Sequence, residues 1–166
     1  METAVPKLVA FDLDYTLWPF WVDTHVNPPF RMNKNSQVVD SANRVISLYP
    51  DVLNILRDLK RDGFQLAAVS RTGEKQGANQ LLSLFEMEQY FSYKQIYPGS
   101  KVTHFQRIRD SSGIKYQHMI FFDDEQRNIT DVSQLGVTCI LVPNGMTQKI
   151  LEDGMRRFAQ DQKSRG

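Results

Sequence analysis

Two aspartates stand two residues apart directly after a short apolar run near the N-terminus, in the order Asp12-Leu13-Asp14-Tyr15-Thr16. A second acidic pair, Asp123 and Asp124, follows another apolar run later in the chain. Carboxylate oxygens are the ligands that Mg²⁺ prefers. A carboxylate can also act as a nucleophile or as a general acid and base. Both pairs are therefore candidates for metal binding and for covalent or proton-transfer chemistry.

Hydroxyl groups and cations follow two further apolar runs, in Ser70-Arg71-Thr72 and at Lys101. Ser70 offers a hydroxyl to a phosphoryl oxygen, and Lys101 offers a positive charge near both a nucleophile and a phosphate. The backbone N–H groups of Leu13 and Asp14 would form an anion-binding concavity. The transition state of phosphoryl transfer spreads negative charge over three oxygens and requires such donors. The complete set is suited to phosphoryl transfer.

Each of these residues has an ordinary structural explanation when it is taken alone. Ser70 and Thr72 could cap the following helix. Asp123 and Asp124 could be favoured by the dipole at a helix N-terminus. A single lysine such as Lys101 is usually exposed on the surface. The order, the spacing and the position after apolar runs agree for all of them, and this agreement favours the functional interpretation.

The elements that must position these residues alternate regularly along the chain. Apolar runs predict five strands, at residues 7–13, 64–69, 93–97, 118–122 and 137–142. An amphipathic helix is predicted after each of the last four strands and another before the second strand. This alternation predicts an α/β fold with a doubly wound parallel sheet of five strands. Ligands bind at the carboxyl ends of the strands in such sheets, where every candidate residue falls.

One irregular stretch, about residues 18–50, separates the first strand from the first helix. Its middle, residues 31–48, contains a turn-prone Asn-Lys-Asn-Ser sequence and predicts a hairpin. The stretch is long enough for a flap but too short for a folded cap domain. Residues 1–166 are therefore predicted to form one domain with a flap, and the polar tail 160–166 is expected to fray.

Composition and charge exclude several classes of partner. Lys and Arg (20) nearly balance Asp and Glu (19), which argues against a nucleic-acid or membrane-surface partner. No apolar stretch is long enough to span a bilayer. The single cysteine, Cys139, lies in an apolar run and is predicted to be a buried residue without a disulfide, which suits the cytoplasm. No obligate partner is indicated.

Four motifs, Asp12-x-Asp14-x-Thr16, Ser70, Lys101 and Asp123-Asp124, resemble those of the haloacid dehalogenase (HAD) superfamily. The stretches FDLDYTLWPFWVDTH, SRT, QGANQLL, YPGSKVTHF and FFDDE are similar to the small eukaryotic magnesium-dependent phosphatases within it. The resemblance covers essentially the whole chain. It implies a HAD-like Rossmannoid sheet with strand order 5-4-1-2-3, without a cap domain.

The resemblance also implies the roles of the acidic residues. Asp12 is expected to be the nucleophile, which forms an aspartyl-phosphate, and Asp14 the general acid and base. Mg²⁺ is expected to bind the Asp12 carboxylate, the Asp14 backbone carbonyl and one residue of the second pair. Asp124 is the expected ligand, because relatives use the second residue of this pair, and Asp123 would orient a metal-bound water.

Phosphate contacts are expected from Ser70, Arg71 and Lys101, together with the backbone of Leu13 and Asp14. Arg71 could equally reach solvent or an acidic group of the substrate.

An uncapped site is open and suits bulky substrates, such as a phosphotyrosine-containing protein or a glycated molecule. A phosphatase for small sugar phosphates is the alternative. Trp18, Phe20 and Trp21 either form an aromatic wall for the leaving group or pin the flap to the domain, and pinning is favoured. The three histidines, His25, His104 and His118, lack metal-ligand spacing and are interpreted as structural or surface residues.

Three other functions share part of this pattern. A dehalogenase would need Asp12 but neither Asp14 nor the second acidic pair. A response-regulator domain would carry its acidic pair at the first strand and its phospho-acceptor at the third. An inactive phosphate-binding module is the third alternative, but no element of the catalytic set is missing.

Overall fold

A computed structural model describes residues 3–165 of the chain. The elements follow one another in the order β1 (Leu8–Phe11), β2 (Arg31–Met32), β3 (Val38–Val39), α1 (Val52–Arg61), β4 (Gln65–Ser70), α2 (Lys75–Leu84), β5 (Tyr93–Ile96), α3 (Lys101–Ser112), β6 (Met119–Asp123), α4 (Gln126–Ser133), β7 (Thr138–Leu141) and α5 (Gln148–Arg165). Among these residues no helix has both the length and the hydropathy needed to cross a bilayer.

Five strands form one parallel sheet in the order β5-β4-β1-β6-β7. Counted along the chain, these are the third, second, first, fourth and fifth strands of the sheet. This is the predicted order read from the opposite edge, so the predicted fold is confirmed. The central strand β1 pairs with β4 on one side and with β6 on the other.

Helices cover both faces of the sheet, which explains why β1 is apolar at every position. Val9 and Phe11 face one core, shared with α1, α2 and α5, and Leu8 and Ala10 face the other, shared with α3 and α4. Successive side chains of a strand point to opposite faces, so a strand buried on both faces shows no alternation. This packing fixes the strand ends that carry the candidate site.

The start of α3 places Lys101 at the first helical position. Ser100 caps the helix, since its Oγ accepts a hydrogen bond from the N–H of Val102 at 3.2 Å. Gly113 ends the helix with a φ of 72°. The helix therefore begins at the carboxyl edge of the sheet and points Lys101 back toward the ends of β1 and β6.

The predicted hairpin is present as the short antiparallel pair of β2 and β3. Asp40, which follows β3, is fully buried and accepts hydrogen bonds from the N–H groups of Asn27, Ala42 and Arg44 at 2.9–3.0 Å. Burial alone would raise the pKa of Asp40, but these donors and the Arg44 charge outweigh it and lower the pKa. One buried carboxylate therefore fastens the hairpin to the segment before it.

Two sequence predictions are corrected. The polar tail is not frayed through residue 165: α5 continues to Arg165, whose guanidinium donates to the carbonyl of Gly136 at 2.9 Å. Gln162 likewise donates to the carbonyl of Gln117 at 2.8 Å. Gly166, the last residue of the predicted tail, lies outside the described residues.

Cys139 is half-buried rather than buried, and burial raises the pKa of its thiol to about 12.

Candidate active site

A cavity of about 320 Å³ opens at the carboxyl edge of the sheet. Five residues predicted from the sequence line it, namely Asp12, Asp14, Ser70, Arg71 and Lys101. They come from the ends of β1 and β4 and from the first residue of α3. Leu13 is instead buried in the core through its side chain, so that only its backbone is available to this site.

Lys101 lies at the centre of a buried charge network. Its side chain is 1% exposed, and Nζ lies 2.8 Å from Oδ1 of Asp12 and 2.5 Å from Oδ2 of Asp123. Burial alone would lower the pKa of Lys101, but the charges of Asp12 and Asp123 outweigh it and raise the pKa. A buried ammonium requires such partners. The interpretation of Lys101 as a surface residue is therefore excluded.

Three carboxylates, those of Asp12, Asp123 and Asp124, offer oxygens that all lie within 4.8 Å of one another. Burial raises the pKa of Asp12 to about 7, with Lys101 lowering it and Asp124 raising it further. Burial raises the pKa of Asp123 to about 6, with a further contribution from the charge of Asp12. Hard oxygen donors with a net negative charge fit Mg²⁺.

The two acidic residues after β6 differ in the partners they already have. Asp123 is fully buried, and its Oδ2 receives Lys101 Nζ and Asn128 Nδ2, the latter at 3.0 Å. Its Oδ1 accepts from the N–H of Glu125 at 2.8 Å. Asp124 is half-buried, and burial raises its pKa as well. Asp124 is therefore the less buried residue of this pair, and both residues offer an oxygen to a cation beside Asp12.

Asp14 is fixed by the beginning of the flap. Its Oδ1 accepts hydrogen bonds from Trp18 Nε1 at 2.8 Å and from the N–H of Val22 at 3.1 Å. Burial raises the pKa of Asp14 to about 6, although both N–H donors lower it. Both donors therefore bind the same oxygen, Oδ1, of a residue that lines the cavity.

Ser70 is the last residue of β4 and Arg71 follows it, on the opposite side of β1 from Asp123. Ser70 is buried, and its Oγ accepts a hydrogen bond from the N–H of Thr72 at 3.1 Å. Arg71 Nη1 donates to Oδ1 of Asn128 at 3.3 Å. Asn128, which also binds Asp123, links Arg71 to the buried charge network.

The sequence motifs did not predict Asn128. Its one signal is a position four residues after Asp124, in the first turn of α4, from which a side chain can point back to the preceding strand end. A polar residue at this position is common enough in helices that the signal alone carries little weight.

The aromatic residues of the flap divide between the two roles considered for them. Trp18 and Phe20 are buried and stack on each other with centroids 5.6 Å apart, so they pin the flap as favoured. Trp21 is 45% exposed and lines the cavity. His25 stacks on the Trp21 indole at 5.2 Å, and Tyr15 meets it edge-on at 5.8 Å. Trp21 therefore forms part of the cavity wall.

The family model described as Acid Phosphatase matches residues 4–161 of the chain. Human Magnesium-dependent phosphatase 1 is 54% identical over 158 residues, which cover 95% of this chain and 90% of that protein. A HAD-like hydrolase superfamily protein of Schizosaccharomyces pombe is 43% identical over 144 residues, covering 80% of this chain and 83% of that protein.

Solved structures share the fold at low sequence identity. The N-terminal part of BF1531 from Bacteroides fragilis, containing a phosphatase domain complexed with Mg, superposes with a TM-score of 0.63 and 19% identity, covering 84% of this chain and 37% of that chain. CbbY from Rhodobacter sphaeroides, in complex with phosphate, gives a TM-score of 0.63 and 13% identity, covering 84% and 87%.

Proposed function

The chain belongs to the acid phosphatase family and, within the HAD superfamily, to the magnesium-dependent phosphatases; on this premise we propose that Asp12 is the nucleophile that attacks the phosphate monoester. The reaction is the Mg²⁺-dependent hydrolysis of a phosphate monoester. The observation that supports Asp12 most directly is its position on the cavity, with Lys101 on Oδ1 and the hydroxyl of Thr16 donating to Oδ2 at 3.1 Å. These contacts orient the carboxylate toward one direction of attack.

Mg²⁺ would be held by the carboxylates of Asp12 and Asp124 and by the backbone carbonyl of Asp14. When bound, the ion neutralises negative charge on the phosphoryl oxygens. Asp123 would serve this site indirectly, because its two oxygens fix Lys101, Asn128 and the turn at Glu125.

The chain's own residues carry the two chemical steps. In the first, a carboxylate oxygen of Asp12 bonds to phosphorus, the bond from phosphorus to the leaving oxygen breaks, and Asp14 gives that oxygen a proton. In the second, Asp14 takes a proton from a water, whose oxygen displaces the Asp12 carboxylate from phosphorus. Inorganic phosphate is released, and both aspartates return to their starting states.

The transferring phosphoryl group would be bound by Ser70, Arg71 and Lys101. No backbone carbonyl of residues 3–165 accepts from the N–H groups of Leu13 or Asp14, so both remain free to bind an anion. Fixed donors of this kind stabilise the negative charge that develops on the phosphoryl oxygens.

The substrate is proposed to be a phosphorylated protein or small molecule with a bulky or planar leaving group, such as a phosphotyrosine-containing or glycated substrate. The half-exposed indole of Trp21 at the cavity wall supports this choice, because an aromatic face packs on a planar leaving group. The polar side chains of Thr24 and Glu125 also line the cavity and favour a small sugar phosphate as the second candidate.

We also propose that residues 1–166 act as one domain with a flap over about residues 18–50. The lone cysteine suits a reducing compartment such as the cytoplasm.

The mechanism is tested by hydrolysis of an aryl phosphate with and without Mg²⁺. Asp12→Asn should lower turnover by at least about 10³-fold, and Asp14→Asn should lower it by about 10²- to 10⁴-fold. Asp110→Asn, an exposed change near the end of α3, is the matched control and should keep wild-type turnover. Turnover that survives Asp12→Asn or chelation of Mg²⁺ would contradict the mechanism.

The substrate class is tested by comparing phosphate release from phosphotyrosine peptides and from sugar phosphates. Trp21→Ala should raise KM for the peptides by about threefold to tenfold, since aromatic contacts contribute about 0.5–1.5 kcal/mol. Trp21→Phe retains a ring and should retain most of the affinity. A preference for sugar phosphates that Trp21→Ala leaves unchanged would support the second candidate.

A further inference from the structure

His104 occupies a buried position where three chain segments meet. Its Nε2 lies 2.8 Å from the carbonyl oxygen of Ser70 and 2.8 Å from that of Tyr97. Its Nδ1 lies 3.1 Å from the carbonyl oxygen of Ser100, the residue that caps α3. The ring stacks on Tyr97 with centroids 4.1 Å apart and is completely buried.

The contacts determine which ring nitrogen carries a hydrogen. A carbonyl oxygen only accepts hydrogen bonds, and a neutral imidazole has one N–H to donate. The two shorter contacts, both at 2.8 Å, are made by Nε2, so we assign the hydrogen to Nε2. One N–H group is thereby shared between the last residue of β4 and the residue that follows β5. The ladder between β4 and β5 ends at the pair of Ser70 and Ile96, and the N–H of Tyr97 then donates to the carbonyl of Ser70 at 3.1 Å. His104 adds a side-chain link between the two segments at this point.

The segments joined by His104 carry two of the proposed phosphate contacts. Ser70 supplies its own hydroxyl to the cavity, and Lys101 precedes His104 by one helical turn. The connection between Tyr97 and Lys101 turns at Gly99, whose φ of 118° is left-handed. Because the chain bends here just before α3, the position of Lys101 depends on the contacts that fix the bend, such as those of His104 with Tyr97 and Ser100.

We propose that His104 is a positioning residue, which sets the distance between Ser70 and Lys101 and thereby the affinity of the site for the phosphoryl group. The proposal rests on the proposed function, because it takes Ser70 and Lys101 as phosphate contacts. His104 touches neither the cavity nor the carboxylates, and its effect passes through the backbone of the two residues that do. The Mg²⁺ ligands after β1 and β6 have no contact with it.

This separation predicts a specific pattern of kinetic effects. His104→Phe retains a ring that can stack on Tyr97 but removes the N–H donor. It should raise KM for an aryl phosphate and the Ki of inorganic phosphate by about tenfold, with a comparable fall in kcat, because small misplacements of binding groups cost up to about 10²-fold. The Mg²⁺ concentration that gives half-maximal activity should not change.

A conservative variant and a matched control distinguish positioning from general destabilisation. His104→Gln keeps an amide N–H and should restore the Ki of phosphate to within about threefold of the wild-type value. Ile108→Ala removes a buried side chain from the same helix, one turn further on, and should lower the melting temperature without changing the Ki. If His104→Phe does not fold, His104→Asn takes its place, because its shorter amide cannot reach both carbonyls.

The proposal is overturned if His104→Phe changes stability but not the Ki of phosphate, or if the Mg²⁺ requirement shifts in parallel. Ser70→Ala is measured beside it. A normal Ki in Ser70→Ala would count against the proposed phosphate contact itself, whereas a raised Ki there with a normal Ki in His104→Phe would count against the positioning role alone.

Discussion

The site at the strand ends and the flap are held in place by different means. Asp12, Asp123 and Lys101 are buried at the ends of two central strands and at the start of a helix, where they pair with one another. In the flap, Trp21 is half-exposed and packs on the rings of Tyr15 and His25. The groups proposed for the chemical step lie at the ends of the strands and at the start of α3, and the group proposed to select the leaving group lies on an irregular segment.

The difference follows from the way in which the backbone N–H and C=O groups of each region are hydrogen-bonded. The strands of the sheet exchange hydrogen bonds along both sides of β1. The flap contains one pair of two-residue strands and an isolated bridge between Val39 and Val45, and side chains such as Asp40 bind further N–H groups. The ladders along β1 include no flap residue, although apolar flap side chains such as Trp18 and Phe30 pack in the core that contains Phe11.

The largest effect on stability is expected from Lys101→Met, which removes the cation shared by Asp12 and Asp123. Two carboxylates would then be buried without a compensating charge, which should cost about 3–5 kcal/mol of stability. Turnover should fall by about 10²- to 10³-fold, because a fixed donor to the transition state is lost. Urea unfolding and phosphate release measure the two effects.

Lys149→Met, at an exposed position of α5, is the control for removing one positive charge. It should change neither quantity. A folded Lys101→Met protein with wild-type stability would show that the site does not depend on the buried pairing.

A smaller effect is expected from Asp40→Asn in the flap. The change removes the charge that binds three backbone N–H groups and Arg44, and it should lower stability by about 1–3 kcal/mol. Hydrolysis of an aryl phosphate by the folded variant should stay within about threefold of the wild-type rate. A large loss of kcat would instead show that the flap and the scaffold are tightly coupled.

The pH dependence of this effect has a defined sign. The pKa of Asp40 is lowered in the folded chain, whereas an unfolded aspartate has a pKa of about 3.9. At pH values between the folded and the unfolded pKa of Asp40, the unfolded chain therefore binds more protons than the folded chain, and the free energy of unfolding rises with pH. The stabilisation is present above about pH 4 and is lost as the pH falls through the folded pKa. The difference in unfolding free energy between wild type and Asp40→Asn should shrink in that range.

The scaffold could be predicted from the sequence more completely than the flap, for a physical reason. Strands buried on both faces leave continuous apolar runs, and polar residues after those runs must gather at one edge of the sheet. Lys101 was predictable in this way because α3 begins where β5 ends. The roles of Trp18 and Trp21 were not separable, since an irregular segment has no period that assigns side chains to the core or to the surface.

Contacts between residues distant in sequence also could not be predicted from the sequence. Asn128 contacts Arg71 across 57 positions, and Arg165 contacts Gly136 across 29. Neither pairing leaves a local pattern, so the link through Asn128 was missed and the end of α5 was expected to fray. The position of His104 between two carbonyls has the same origin.

Gly154→Ala tests how tightly the scaffold is packed, with an expected effect below that of Asp40→Asn. A Cβ at this position of α5 would lie 2.8 Å from the ring of Phe122, which is buried in β6 and stacks on Phe11. Overpacking costs about 1–3 kcal/mol, and the better helix propensity of Ala returns about 1 kcal/mol. A net loss of about 1 kcal/mol is expected in thermal unfolding.

The double variant with Phe122→Leu isolates this contact. Phe122→Leu alone should be destabilising, and adding Gly154→Ala to it should cost less than in the wild-type background, because the ring that obstructs the Cβ is gone. Equal costs in both backgrounds would show that the clash is not the cause.

The smallest effect is expected from His25→Ala in the flap. The backbone N–H of Trp21 donates to His25 Nδ1 at 2.9 Å, and the imidazole stacks on the indole, which supports the indole in its half-exposed position. His25 is itself exposed, and the change should alter stability by less than about 0.5 kcal/mol. KM for an aryl phosphate should rise about twofold to threefold, since the freed indole loses entropy on binding.

His25→Asn keeps an acceptor for the Trp21 N–H and separates this hydrogen bond from ring stacking. In the Trp21→Ala background, His25→Ala should have no further effect on KM, because the ring that it supports is absent. An effect of the same size in both backgrounds would place His25 in direct contact with the leaving group. Selection in the flap would then rest on two side chains, and the contrast with the scaffold would be sharper.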